Sequence, residues 1–175
     1  VMEGYIHIPF CAKKCSYCDF LSFPAGRTLQ CSYTDALIRE IRECARNDEA
    51  YTMSTVFLGG GTPSLLETGE IPRIMSALYE SYRIPDDAEI TIEANPRTVD
   101  EYKLEEYLKA GINRISIGCQ SLDDGQLRKL GRLHDSRSFF DTLSMAQSAG
   151  FRNISVDLMS GLPDQSCEQW RETLV

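Results

Sequence analysis

Residues 4–20 read GYIHIPFCAKKCSYCDF, a short strand-like run followed almost at once by three cysteines. Residues 5–8 (YIHI) have the β-branched and aromatic character of a strand, and the proline after them marks its end. The thiols of Cys11, Cys15 and Cys18 follow with the spacing C-x₃-C-x₂-C. This stretch therefore predicts a first strand whose C-terminal end leads directly into a loop carrying three thiols.

The rest of the chain continues as alternating strand and helix patterns. The predicted strands are short, rich in Ile and Val, and bounded by Gly, Pro, Asn or Asp. They are Gly4–Ile8, Ser54–Leu58, Glu89–Glu93, Asn113–Gly118 and Asn153–Leu158. Amphipathic stretches between and after them predict helices at Tyr33–Arg46, Ile71–Tyr82, Glu101–Ala110, Ser138–Ala149 and Cys167–Leu174. Gly111 and Gly150 directly follow two of these helices, as expected of helix-terminating glycines.

Successive β-α units predict an α/β fold with a parallel sheet and helices packed outside it, because parallel strands need long crossover connections. At 175 residues the chain has room for one domain with a substantial core. Such a sheet either stays open or curls into a barrel, and about five strands do not complete the usual eight-stranded barrel. We therefore expect residues 1–175 to be the N-terminal part of a core domain, truncated before barrel completion.

Polar and glycine-rich residues follow the strands at their C-terminal ends, where parallel α/β folds bind ligands. In chain order they are the three cysteines, the stretch GGGTP at 59–63, EANP at 93–96, Gln120-Ser121 and Asp157. Since the C-terminal ends of parallel strands share one edge of a sheet, we expect these residues to surround a single cleft.

Composition excludes several function classes. The net charge of −8 and the pI of about 4.8 give no global basic footprint, so no nucleic-acid partner is expected. The sequence contains neither a long apolar run nor a signal peptide, which predicts a cytoplasmic protein without a membrane span. Seven cysteines is an odd number, typical of a reducing compartment rather than a disulfide scaffold. Cys31, Cys44, Cys119 and Cys167 are expected to be buried or half-buried apolar residues.

Three clustered thiols have several chemical interpretations. Structural zinc takes four Cys or His ligands, and neither His7 nor His134 forms a second ligand pair nearby. A disulfide with a spare thiol conflicts with a reducing compartment. A [4Fe–4S] cluster uses one cysteine per iron, so three cysteines leave one iron with an open position for a ligand. We predict that Cys11, Cys15 and Cys18 hold such a cluster.

Across essentially the whole chain, the sequence resembles the radical S-adenosylmethionine (SAM) enzymes. The closest resemblance is to the branch of the oxygen-independent coproporphyrinogen III oxidases and the HemW-like heme chaperones. The motifs that carry it are YIHIPFC, CSYCDF, GGGTPS, EANP, GCQS, LGRLH and DLMSGLP. The resemblance implies a parallel (β/α) partial barrel, of which this chain is the N-terminal portion with about five strands, and it implies that SAM chelates the open iron. It also implies that an electron, supplied by a donor such as flavodoxin, cleaves SAM to methionine and a 5′-deoxyadenosyl radical.

The resemblance also implies a set of SAM contacts, and each residue type suits its part of the ligand. The rings of Tyr5 and Tyr17 suit adenine, and the backbone of Gly60, Gly61 and Thr62 allows the ligand to approach closely. Glu93 and Asp157 suit ribose hydroxyls or an ammonium group. Gln120 can donate and accept hydrogen bonds, and Arg132 suits the carboxylate of the methionine moiety. The alternative for each is a strand-end cap or a surface charge. No catalytic residue is predicted.

Three functional classes remain open: a heme chaperone, a radical enzyme such as the oxidase, and a plain electron-transfer domain. Oxidases of this branch carry a further cysteine two residues after the third cluster ligand, where this chain has Phe20, and also a longer N-terminal arm. Both differences favour a chaperone with heme or a porphyrin as its partner, and enzyme activity stays open. An electron-transfer domain has no need for the polar residues at the strand ends.

Overall fold

A computed structural model describes residues 2–45 and 52–174. Its five strands form one sheet in chain order, and every neighbouring pair is parallel. The strands are β1 (Met2–Ile8), β2 (Met53–Gly60), β3 (Glu89–Ala94), β4 (Arg114–Gln120) and β5 (Asn153–Leu158). The predicted parallel α/β sheet is confirmed, and all five predicted strands are present with bounds shifted by a few residues at most.

In the described part of the chain, five α-helices and one short 3-10 helix, Pro63–Leu65, connect the strands, and a sixth α-helix follows β5. The helices are α1 (Arg27–Ala45), α2 (Glu70–Ser81), α3 (Glu101–Lys109), α4 (Asp124–Lys129), α5 (Ser136–Ala149) and α6 (Cys167–Leu174). None of the helices in the described part of the chain has the length and apolarity to cross a membrane.

Two helices begin two or more residues before their predicted N-termini. Helix α1 begins at Arg27, six residues before the predicted start, because its first turns are largely polar and hide the apolar period. Gln30 is nevertheless buried there, and its side-chain amide donates to the carbonyl of Ala25 at 2.9 Å. Helix α5 begins at Ser136, capped by the Asp135 carboxylate. The predicted end of α1, Arg46, lies outside the described residues.

The two faces of the sheet differ in chemistry. Alternating strand residues such as Ile8, Leu58 and Ile92 are completely buried and share one apolar core with helix residues, among them Ile74 and Leu104. Because side chains alternate along a strand, the residues between them point to the opposite face. That inner face is mainly polar on β3, β4 and β5, where it carries Thr91, Glu93, Arg114, Ser116, Ser155 and Asp157.

The scattered cysteines only partly match their prediction. Cys119 on β4 is fully buried and Cys31 is half-buried, as expected. The expectation is wrong for Cys44 and Cys167, which are exposed on α1 and α6. Both lie on the solvent side of amphipathic helices, where a small residue is tolerated without packing against the core.

Candidate functional site

A cavity of about 730 Å³ opens at the C-terminal edge of the sheet. Every residue proposed from the sequence for the cluster or SAM lines it, except Tyr5. They are Cys11, Cys15, Tyr17, Cys18, Gly60, Gly61, Thr62, Glu93, Gln120, Arg132 and Asp157. The volume falls in the range of cavities that enclose small-molecule ligands. The predicted convergence of the five strand ends on one cleft is therefore confirmed.

Tyr5 lies further back along β1 and does not line the cavity. Its ring stacks on Phe57 with centroids 6.2 Å apart, and its hydroxyl is 3.2 Å from Nδ1 of His7. The side chain is largely exposed on the inner face of the sheet. The structure thus places Tyr5 beside the predicted site rather than in it.

The cysteine loop is fixed by backbone hydrogen bonds on both sides. The amide of Cys11 donates to Phe23 at 3.1 Å, and the amide of Phe23 donates to Pro9 at 2.9 Å. On the other side, the amide of Ser16 donates to the carbonyl of Leu130, which ends helix α4. The loop is therefore held between the segment after β1 and the end of α4, with its three half-buried free thiols at the cavity wall.

Three free thiols on one loop are a donor set that suits a polynuclear cluster. Within residues 2–45 and 52–174, no three Cys, His, Asp or Glu side chains are arranged to hold one metal ion. A [4Fe–4S] cluster makes a different demand, because each iron takes its own thiolate and the thiolates are spread around the cluster. Cys11, Cys15 and Cys18 are unpaired thiols on one loop and face one cavity, so they meet this demand.

The glycines after β2 are required by the packing of β1. A Cβ on Gly61 would lie 2.6 Å from the carbonyl oxygen of Phe10, and the Gly61 amide donates to Ile8 at 2.8 Å. Gly60 has a φ of +113°, and a Cβ there would lie 2.6 Å from the ring of His7. Close contact with β1 thus explains both glycines, and it leaves their backbone at the cavity wall.

Two carboxylates approach the cavity from the inner faces of β3 and β5, which flank β4. Glu93 accepts a hydrogen bond from the amide of Gly60 at 3.0 Å, and Asp157 accepts one from the hydroxyl of Ser116 at 3.0 Å. Burial raises the pKa of Glu93 above its ordinary value, and the nearby charge of Asp157 raises it further. The pair therefore forms an acidic wall that favours a cation or hydroxyl donors.

Arg132 contributes a positive charge to another part of the cavity wall. Its Nη2 donates to the carbonyl of Gly118 at 2.6 Å and also to Oδ1 of Asn95. Its Nη1 lies 3.5 Å from the hydroxyl of Tyr17 and 3.8 Å from Sγ of Cys15. The Nε of Arg132 is buried without a hydrogen-bond partner among the described residues. A buried donor that lacks a partner suits a site that binds an anionic group.

Two residues that the sequence analysis did not select contribute to this wall. Asn95 lies within the quoted EANP stretch and bonds both Thr62 and Arg132. Gly118 leaves room for the guanidinium, since a Cβ there would lie 3.2 Å from Nη2 of Arg132 and 2.8 Å from Oδ1 of Asn95. Their position in the sequence could have indicated them, because both lie at strand ends, next to residues that were proposed as SAM contacts.

His134 also lines the cavity and is buried. Its Nε2 lies 3.1 Å from the carbonyl oxygen of Cys119, which can only accept, so Nε2 carries the proton. Burial and the charge of Arg132 lower the pKa of His134 to about 4. The ring is therefore neutral at physiological pH, as expected of a packed histidine.

Several proteins are similar in sequence to this chain along nearly its whole length. The chain is 41% identical over 170 residues to the protein named heme chaperone HemW of Escherichia coli, a match that covers 94% of the chain and 44% of that protein. It is 38% identical over 170 residues to the mouse mitochondrial protein named radical S-adenosyl methionine domain-containing protein 1, covering 97% of the chain and 38% of that protein. The chain thus spans less than half the length of these relatives.

The fold also has solved counterparts. The structure of coproporphyrinogen III oxidase (HemN) from Escherichia coli, described as a radical SAM enzyme, superposes with a TM-score of 0.90 at 35% identity. That match covers 98% of the chain and 40% of the oxidase. The sequence profile of the radical SAM superfamily matches residues 5–175. The chain belongs to the radical SAM superfamily, whose members use a [4Fe–4S] cluster and SAM.

Proposed function

We propose that Cys11, Cys15 and Cys18 hold a [4Fe–4S] cluster and that SAM binds beside it in the strand-end cavity. The observation that carries this proposal is that three half-buried free thiols face the same cavity as Arg132 and Glu93. With SAM bound, the cluster would supply the electron that cleaves the sulfonium. Residues 1–175 would then be the N-terminal part of the radical SAM core domain.

The chain's own residues divide the proposed SAM site into two charged walls. Arg132 would bind the carboxylate of the methionine moiety, and its partnerless Nε supports this role. Glu93 and Asp157 on the acidic wall would accept from ribose hydroxyls or the ammonium. Gln120 stands beside them with a φ of +71°, in the left-handed region, which turns the chain at the end of β4 toward the cavity.

The remaining proposed contacts are aromatic or come from the loop after β2. Tyr17 lines the cavity next to Arg132 and would pack against the adenine. Gly60, Gly61 and Thr62 would present backbone groups to SAM. Tyr5 would contact SAM only if bound ligand extended along the inner face of β1, so we propose a weaker contribution from it.

We further propose that the whole protein binds and delivers heme as a chaperone, with a one-electron donor such as flavodoxin serving the cluster. The name of the Escherichia coli relative supports heme as the ligand. Phe20, which is 70% exposed, and Leu133, which is 57% exposed, add apolar surface at the cavity and suit a flat macrocycle. We propose no partner among nucleic acids, in line with the net charge of −8.

A second candidate is oxidative decarboxylation of coproporphyrinogen III. The superposition on the Escherichia coli oxidase with a TM-score of 0.90 favours it. Against it stands Phe20, at the position where the sequence resemblance leads us to expect a further cysteine in oxidases.

The test uses the full-length protein after anaerobic reconstitution with iron and sulfide. We expect about four irons per chain, saturable SAM binding, stoichiometric heme binding, and no conversion of coproporphyrinogen III. Formation of protoporphyrinogen IX would favour the oxidase instead. SAM cleavage without heme binding would leave a radical enzyme with a different substrate, and a protein without iron would contradict the cluster assignment.

A further inference from the structure

We propose that Asn95 is a positioning residue that aims one hydrogen-bond donor at each of two cluster thiolates, Cys11 and Cys15. This inference rests on the proposed iron–sulfur function and concerns how the chain sets the reduction potential of the cluster. It follows from one continuous set of hydrogen bonds that joins the cysteine loop to the ends of β2, β3 and β4.

The first branch runs through Thr62 to Cys11. Nδ2 of Asn95 donates to Oγ1 of Thr62 at 2.8 Å, and that oxygen lies 3.6 Å from Sγ of Cys11. A hydroxyl has a single proton, and the Thr62 oxygen already accepts from Asn95. A cysteine that ligates iron is a thiolate and cannot donate. The Thr62 proton therefore has the Cys11 sulfur as its acceptor.

The second branch runs through Arg132 to Cys15. Oδ1 of Asn95 accepts from Nη2 of Arg132, which also donates to the carbonyl of Gly118 at 2.6 Å. These two acceptors fix the plane of the guanidinium, because its donors form a rigid fork. Nη1 is then directed toward Sγ of Cys15, 3.8 Å away.

Only one orientation of the Asn95 amide serves both branches. Arginine donates and never accepts, so the amide oxygen must face Arg132 and the amide nitrogen must face Thr62. The backbone of Asn95 is fixed as well, since its carbonyl accepts from the amide and the hydroxyl of Thr98 at 3.1 and 2.7 Å. A single side chain thereby sets the direction of both donors.

Hydrogen bonds to the sulfurs of an iron–sulfur cluster favour its reduced form, because reduction adds negative charge to the cluster. Loss of the Asn95 amide would free the Thr62 hydroxyl to rotate and the Arg132 guanidinium to turn away from Cys15. The cluster would then be harder to reduce, even though none of its three ligands had changed.

The test is an anaerobic redox titration of the reconstituted full-length protein without SAM, monitored by electron paramagnetic resonance. For Asn95→Ala we expect about tenfold less reduced relative to oxidised cluster at the wild-type midpoint, a shift of about 59 mV to lower potential for one electron. Thr62→Val should shift the potential in the same direction by less. The double variant should shift it by less than the sum of the two single variants, because Asn95 acts on Cys11 through Thr62.

The matched control is Thr91→Val, which removes a buried hydroxyl from β3 that bonds Arg114 and no cysteine. Its potential should equal that of the wild type. If Asn95→Ala bound the same cluster as the wild type and its reduction potential were unchanged, this inference would be overturned and the proposed function would stand. If Asn95→Ala failed to keep its cluster, Thr62→Val would decide, and an unchanged potential there would overturn the inference. A wild-type protein unable to form any cluster would overturn both proposals.

Discussion

Ile92 and Glu93 are neighbours on β3, yet they belong to regions that obey different physical rules. Ile92 is completely buried among apolar side chains of the sheet and helices, where burial itself supplies the stabilisation. Glu93 faces the cavity, bonds the Gly60 amide and keeps a pKa above its ordinary value. The apolar face stabilises the fold, whereas the strand-end cavity holds a partly buried carboxylate close to a second one, an unfavourable arrangement that a bound ligand would relieve. Substitutions in the two regions should therefore separate stability from binding.

The largest effect should come from the thiols themselves. Replacing Cys11, Cys15 or Cys18 by Ala should abolish the visible absorbance and the bound iron of the reconstituted protein, because each thiolate ligates its own iron. Replacement of Cys119, which is buried on β4 and whose pKa is raised by burial to about 11, is the informative control. Cys119→Ala should keep the full iron content. Cluster loss in that variant would contradict the ligand assignment.

The next effect contrasts the two neighbours on β3 directly. Ile92→Ala should lower the free energy of unfolding by about 2–5 kcal/mol, since it leaves a cavity in a fully packed core. Glu93→Gln keeps an acceptor for the Gly60 amide and removes a charge that burial disfavours, so it should change stability by less than about 1 kcal/mol. Urea unfolding of the cluster-free full-length protein measures both. A larger loss in Glu93→Gln than in Ile92→Ala would invert the comparison.

The same contrast separates what the sequence could predict from what it could not. The strands and their parallel order follow from alternating β-rich runs and intervening helices, and β5 has its predicted bounds. Helix α4 was missed because its six residues, DGQLRK, are too short and too polar to show a period. The exposure of Cys44 was missed because a lone cysteine on a helix carries no signal of its side. In both cases local sequence lacks the information that packing supplies.

At the cavity, strand-end position predicted most of the residues that line the wall. The family resemblance added Tyr17 and Arg132, which line it, and Tyr5, which does not. The network around Asn95 could not be predicted, because Thr62 and Arg132 lie 33 and 37 residues from it along the chain. Only the register of the sheet and the path of the loop after α4 bring the three together. Strand-end placement can be predicted from sequence, but partnership among the residues placed there cannot.

A smaller effect is expected on SAM affinity. Arg132→Ala should weaken SAM binding about ten- to a hundredfold, equivalent to about 1.5–3 kcal/mol, because it removes a charge-assisted contact. Isothermal titration calorimetry with the reconstituted full-length protein measures the SAM affinity, and the iron content should stay at the wild-type level. Gly118→Ala, which crowds Nη2 of Arg132, should weaken SAM in the same direction by less. Unchanged affinity in Arg132→Ala would exclude the arginine as a SAM ligand.

The smallest effect concerns pH and the histidine on the cavity wall. The pKa of His134 is about 4 in the folded protein and about 6.5 when unfolded, so the unfolded state binds more protons between these values. Stability is therefore fully present above pH 6.5 and is lost as the pH falls toward 4. At pH 5 the loss from this residue should be about 2 kcal/mol relative to pH 7.5. His134→Gln keeps a donor for the carbonyl of Cys119 and does not titrate. In urea unfolding, the free energy of unfolding of this variant should therefore fall about 2 kcal/mol less between pH 7.5 and pH 5 than that of the wild type. Equal pH dependence in both proteins would mean that the ring accepts a proton in the folded state, and that the cavity edge around His134 is more hydrated than its burial indicates.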